Sequence, residues 1–274
     1  MRRPLITLCI ILLSLFAGRV VWQLLARDLT FDELLNRPEL WPLEVSLIEP
    51  HLADFRHYGT AERVPGDTVG LSEVYQDTLV AWDYREGRAF NLPVSKTDFV
   101  ARANQLEREK PMTASRVARD LNKHLFSADS DGKLIHLPET TLNASEVIVF
   151  HYSDTFRRET FAIMPMVNQH YVNLRSRYPL FEMVFVSRDP QFERFRRFVA
   201  KHPPRFPILD HAQRRLRPTV LQHDAGTPPS FIAVDQHGRT ILNSHPWNGP
   251  PVSPSRFFET LANLLEDRFS RRAD

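Results

Sequence analysis

Residues 146–174 constrain the fold more than any other stretch of the chain. Val147, Ile148, Val149 and Phe150 make a short apolar run that suits a buried strand. Ser153, Asp154 and Thr155 then form a polar turn. Beyond them Phe161, Met164, Val167, Tyr171 and Leu174 recur at the spacing of one helical face. Pro165 sits inside that pattern and has no N–H for the preceding turn, so it predicts a kink. Strand, exposed turn and kinked helix are the expectation.

Elements of the same kind follow. Residues 181–187 (FEMVFVS) read as a second buried strand, and residues 191–201 as a helix with Phe192, Phe195, Phe198 and Val199 inward. Phe206-Pro207-Ile208 and a short helical piece at 211–216 lead to Thr227-Pro228-Pro229, which precedes a strand ending at Asp235. Gln236-His237-Gly238 turns that strand back into a hairpin partner at 239–243. A last helix over 253–271 carries Phe257, Phe258, Leu261, Leu264, Leu265 and Phe269.

The turn, the helix with Pro165, and Pro229 placed six residues before Asp235 together resemble the tryparedoxin and nucleoredoxin branch of the thioredoxin-like proteins. The resemblance implies an α/β domain over residues 133–274, with a central mixed sheet flanked by helices. In that branch the turn reads about Trp-Cys-Pro-Pro-Cys-Arg, with a proline further along the helix. Counting back from Pro165 puts Phe156 on the tryptophan, Arg157 on the first cysteine and Thr160 on the second, with Arg158 and Glu159 between. Pro229 takes the place of the cis-proline that faces the turn, and Thr227 and Pro228 complete its loop. Pro228 departs from the aliphatic residue or threonine usual there.

The chemistry of that family needs a thiolate to attack a disulfide and a second thiol to resolve the intermediate. This chain has one cysteine, Cys9, far from the turn. No catalytic residue is therefore assigned, and residues 156–160 read as a vestigial active-site turn.

Cys9 belongs to the first segment. Arg2 and Arg3 precede a run from Leu5 to Ala26 that is mostly apolar, broken by Gly18 and Arg19. Residues 1–27 fit a signal-anchor or a signal peptide. In either case the arginines stay inside, and the bulk of the chain lies outside the cytoplasm, in the periplasm if the source is bacterial. Residues 28–44 read as a linker. Residues 45–104 show short alternating runs and turn signals, which predict a small all-β domain. Its end, AFNLPVSKTDFVARAN, resembles the close of bacterial SH3-like barrels. Residues 105–132 read as a helical connector, with Thr113 capping a helix over 114–126.

Composition excludes several classes. A net charge of +2, from 35 basic and 33 acidic residues, gives no bulk attraction to nucleic acid. The eleven histidines show no ligand spacing, so no metal is expected, and no nucleotide-binding loop implies a cofactor. Residues 188–217 form a locally basic stretch. The expected function is a redox-inactive binding or adaptor module, tethered to the membrane by its first helix and facing an unidentified protein partner. No small-molecule substrate is identifiable. The alternative is a thiol–disulfide oxidoreductase by family only, or one working with a partner's cysteines.

Overall fold

The computed structural model describes residues 27–109, 114–129, 131–154, 157–223, 228–246 and 250–270. The signal or anchor segment, Thr113, Phe156 and Thr227 lie outside them. Among the described residues no helix is long and apolar enough to cross a membrane.

A capping box opens the short helix α1 (Phe31–Leu35): the Thr30 hydroxyl accepts from Glu33 N–H, and the Glu33 carboxylate accepts from Thr30 N–H. Six strands follow: β1 (Glu44–Ser46), β2 (His51–Asp54), β3 (Thr60–Arg63), β4 (Thr68–Tyr75), β5 (Thr78–Asp83) and β6 (Arg88–Pro93). An antiparallel sheet takes the order β1-β4-β5-β6, and β2 pairs with β3 as a separate hairpin. In β5 the buried residues are Leu79, Ala81 and Asp83, the two-residue period of a strand with one face inward. Helix α2 (Phe99–Glu109) lays Phe99 and Ala103 onto the same core as Leu71, Leu79, Phe90 and Leu92.

Helix α3 (Arg116–Leu121) leads to β7 (Leu125–Ala128) and β8 (Leu134–His136). Next come β9 (Val147–Ser153), α4 (Arg158–Arg177), β10 (Phe181–Ser187), α5 (Phe192–Lys201) and β11 (Ile208–Leu209). The chain closes with α6 (Pro218–Leu221), β12 (Ser230–Asp235), β13 (Thr240–Asn243) and α7 (Pro254–Ser270). All seven strands form one mixed sheet, ordered β13-β12-β9-β10-β11-β7-β8. β9 and β10 run parallel in full register, and β12 runs antiparallel to β9. A parallel β-α-β pair followed by an antiparallel hairpin and a helix is the arrangement that the thioredoxin resemblance implies.

Both faces of β9 are covered, which explains its unbroken apolar run. Val147 and Val149 pack with α4 and α7 through Met164, Val167, Phe257 and Leu261. Ile148, Phe150 and Tyr152 pack on the other face with Val117, Leu121 and Val220.

Three sequence expectations need correcting. Residues 28–44 are not a linker, since Leu34, Leu40 and Trp41 are buried in the same core as Leu71, Leu79 and Phe90. Residues 105–132 are not a helical connector throughout. Ser115 caps α3, accepting from Ala118 N–H at 3.2 Å, and the helix gives way at Asn122 to a tight turn. Leu125 then starts β7, which pairs with β11 and β8. The Asn122 side chain helps set the break, donating to Asn143 Oδ1 at 2.8 Å and accepting from Leu142 N–H at 2.9 Å. Phe192 is 46% exposed rather than inward, because it occupies the first turn of α5 where the helix leaves the sheet.

One guanidinium joins the two sheets. The register of β4 against β5 shifts between Leu71 and Glu73, a bulge that takes backbone out of the ladder. Fully buried Arg116 donates there to the Leu71 and Ser72 carbonyls, and on its other side to His237 O at 3.4 Å. Arg119 donates to the Glu39 and Trp41 carbonyls at 2.9 and 3.2 Å. Gly70 lies so close to α6 that a Cβ there would meet Pro218 Cγ at 2.7 Å. Only glycine leaves room there for the Pro218 ring and the Tyr84 hydroxyl.

Candidate functional site

The candidate site is the turn that β9 delivers at its carboxyl end. Ser153 and Thr160 are both fully buried there. The Ser153 hydroxyl donates to Thr160 Oγ1 at 2.9 Å, and the Thr160 hydroxyl donates to Asp154 O at 2.9 Å. This chain of two hydroxyls ends on a carbonyl, so each proton is committed within the turn. Backbone bonds close it further, from Arg157 N–H to Asp154 O at 3.3 Å and from Thr160 N–H to Arg157 O at 3.1 Å.

Arg157 is the N-cap of α4, with extended backbone and no side-chain capping bond. A cation at that end opposes the helix dipole. Here the cost is offset locally, because Arg157 Nε lies 3.2 Å from Asp154 Oδ2. Asp154 was missed as a participant, although an acid three residues before an arginine was a visible signal. Arg158 and Glu159 are exposed in the first turn. Glu159 carries the sign that the dipole favours there.

Opposite lies the loop into β12. The Pro228–Pro229 peptide bond is cis. Ser230 pairs with Tyr152 in the β12–β9 ladder, so Pro229 comes beside Ser153 where β9 ends. The structure thus brings Arg157, Thr160 and Pro229 to one edge of the sheet. The Ser230 hydroxyl is buried and has no hydrogen-bond partner among the described residues. Neither Pro228 nor Pro229 has an N–H, so these two residues can only accept hydrogen bonds through their carbonyls.

Two residues before Ser153, His151 is fully buried. Neither ring nitrogen has a hydrogen bond among the described residues. The ring stacks on Phe231 with centroids 4.5 Å apart and meets Phe185 edge-on at 5.3 Å. Burial alone pushes its pKa down to about 3, so it is a neutral aromatic core residue. On the opposite face His223 is pushed down to about 4, mainly by burial, and its Nε2 lies 2.9 Å from Gly238 O. Neither ring reaches the turn as an acid or base. Among the described residues no group of three His, Cys, Asp or Glu is placed to hold a metal ion. What the site presents is two hydroxyls tied to their own turn and exposed charge at Arg157, Arg158 and Glu159.

No protein-family model and no curated protein matches the sequence. Solved structures do match part of it. Thioredoxin from Wuchereria bancrofti is 17% identical, with a TM-score of 0.39, over 54% of this chain and 99% of its own. Native tryparedoxin I from Crithidia fasciculata is 20% identical, with a TM-score of 0.36, over 44% of this chain and 79% of its own. The thioredoxin domain of a thiol-disulfide oxidoreductase from Bacteroides vulgatus is 13% identical, with a TM-score of 0.37, over 56% of this chain and 98% of its own.

Proposed function

We propose that this chain is a redox-inactive, thioredoxin-like binding module. Residues 1–27 tether it to a membrane, the rest faces away from the cytoplasm, and a first unit of SH3-like kind precedes the binding domain. The carrying observation is Thr160. It stands where the resemblance puts the second cysteine, and its hydroxyl is fully buried and bonded into its own turn. The only cysteine of the chain is Cys9. A threonine hydroxyl is too weak an acid to replace a thiolate, and the guanidinium of Arg157 is no nucleophile.

The groove between residues 157–160 and the Pro228–Pro229 loop then holds an extended segment of a partner protein. Such a segment donates an N–H to the Pro228 carbonyl. Its remaining affinity must come from side chains, with acidic ones favoured by Arg157 and Arg158.

The test uses the full chain. Insulin reduction should proceed no faster than in buffer; turnover would end the redox-inactive reading. A photo-crosslinking residue in place of Glu159 should capture a partner that Arg157→Glu with Arg158→Glu loses. An unchanged crosslink in that variant would leave the groove without a binding role. External protease on spheroplasts should digest the chain, and protection would refute the topology.

A further inference from the structure

A second site lies at the carboxyl end of the neighbouring strand β10. The turn between β5 and β6 approaches it from the other sheet, and together they enclose a cleft of about 490 Å³. Arg85, Arg88, Arg188, Arg214 and Arg215 all line it, drawn from three separate segments of sequence. Glu86 is the only carboxylate among the described lining residues, and it faces Arg63 at 3.6 Å, while Arg85 pairs with Asp67 at 2.9 Å.

The walls of the cleft are held in place before any ligand arrives. Arg214 Nη1 donates to Ser187 O at 2.6 Å, and Arg188 N–H donates to Ser153 O at 2.9 Å. The Arg88 guanidinium lies 3.5 Å from the Tyr58 ring centroid, a cation–π contact that fixes the side chain. Trp82 also lines the cleft, and its indole N–H has no acceptor among the described residues.

We infer that this arginine cleft binds a small soluble anion carrying more than one phosphate. Guanidinium groups gathered around one cleft make it positive and favour a ligand of opposite sign. Forked guanidinium donors match phosphate oxygens two at a time, and a diphosphate supplies enough oxygens and charge to engage several of them. The volume falls in the range of small-molecule sites, roughly 300–1,000 Å³. The position also suits a ligand, because open sheets with parallel strands bind theirs outside the carboxyl ends. This site does not depend on the groove beside Thr160.

Inorganic pyrophosphate titrated into the full chain in detergent micelles tests the inference, read by tryptophan fluorescence and thermal midpoint. A saturable response is expected, weaker for orthophosphate and weaker at high salt. The fluorescence change should vanish in Trp82→Phe while the midpoint shift remains. Arg88→Gln with Arg215→Gln should weaken binding by roughly tenfold or more. Arg157→Glu with Arg158→Glu should leave binding unchanged, which separates this result from the fate of the groove. If the double glutamine variant fails to fold, Arg215→Gln alone, at an exposed side chain, makes the same comparison by a smaller loss. No saturable response, or an equal response in the glutamine variants, overturns the inference. Retention on phosphatidic acid vesicles with no response to free pyrophosphate also overturns it, in favour of a membrane surface.

Discussion

Two places at the carboxyl edge of one sheet treat polar groups in opposite ways. After β9, Ser153, Thr160, Asp154 and Arg157 close on one another through three side-chain contacts of 2.9 to 3.2 Å. After β10, five arginines share a cleft with one carboxylate. The first arrangement ties its hydroxyls into the fold and leaves the exposed side chains of Arg157, Arg158 and Glu159 to meet a partner. The second gathers guanidinium groups from separate segments around one open cleft, the arrangement on which the anion-binding inference rests. The turn where the resemblance puts chemistry and the arginine cleft are thus adjacent but distinct.

The largest expected effect comes from acidifying the ground beneath the turn. His151 has a folded pKa pushed from 6.5 to about 3, so the unfolded chain binds its proton first as pH falls. Its contribution is complete above about pH 6.5 and is lost progressively towards pH 3, on the order of 5 kcal/mol in all. His223, pushed down to about 4, adds to the loss with the same sign. Urea unfolding between pH 7 and pH 4 should show the decline, and His151→Leu should flatten it. An equally steep decline in that variant would break the account of His151.

Thr160→Val comes next. It keeps the shape and removes the hydroxyl that joins Ser153 to the Asp154 carbonyl, leaving buried polar groups unpaired. The expected loss is about 1–3 kcal/mol, read as a lower denaturant midpoint at constant slope. Arg157→Ala should cost less, about 0.2–1 kcal/mol, and the difference should shrink in salt. The smallest effect tests the contrast from the other side: Arg215→Gln should change stability by no more than about 0.5 kcal/mol, and in the stabilising direction. If Arg215→Gln destabilised as much as Thr160→Val, the arginine cleft would be structural like the turn.

The second unit was legible because its signals are local. The apolar run of β9, the periodic face of α4 and the run of β10 each lie within one window of sequence, and they appear as written. Strand β7 was not legible. Leu121 and Leu125 stand four residues apart and fit a helical face, whereas the strand depends on pairing with Ile208 and Leu209, far along the chain. The site divides in the same way. The partner of Arg157 was three residues upstream and readable in principle. The arginine cleft was not, since residues 85–88 lie at the β5–β6 turn of one sheet, while 188 and 214–215 lie in connections of the other, far along the chain. A count of charge along the sequence catches only the later part of it.

The buried guanidinium of Arg116 bears on how such a chain is inherited. It satisfies carbonyls at the β4 bulge and a carbonyl in the β12–β13 turn at once, from a helix that belongs to neither sheet. A recombination event that exchanged only the first unit would have to recreate the bulge, the facing Gly70 and the reach of one side chain together. Changing either half at this seam therefore changes what the other half must supply to Arg116.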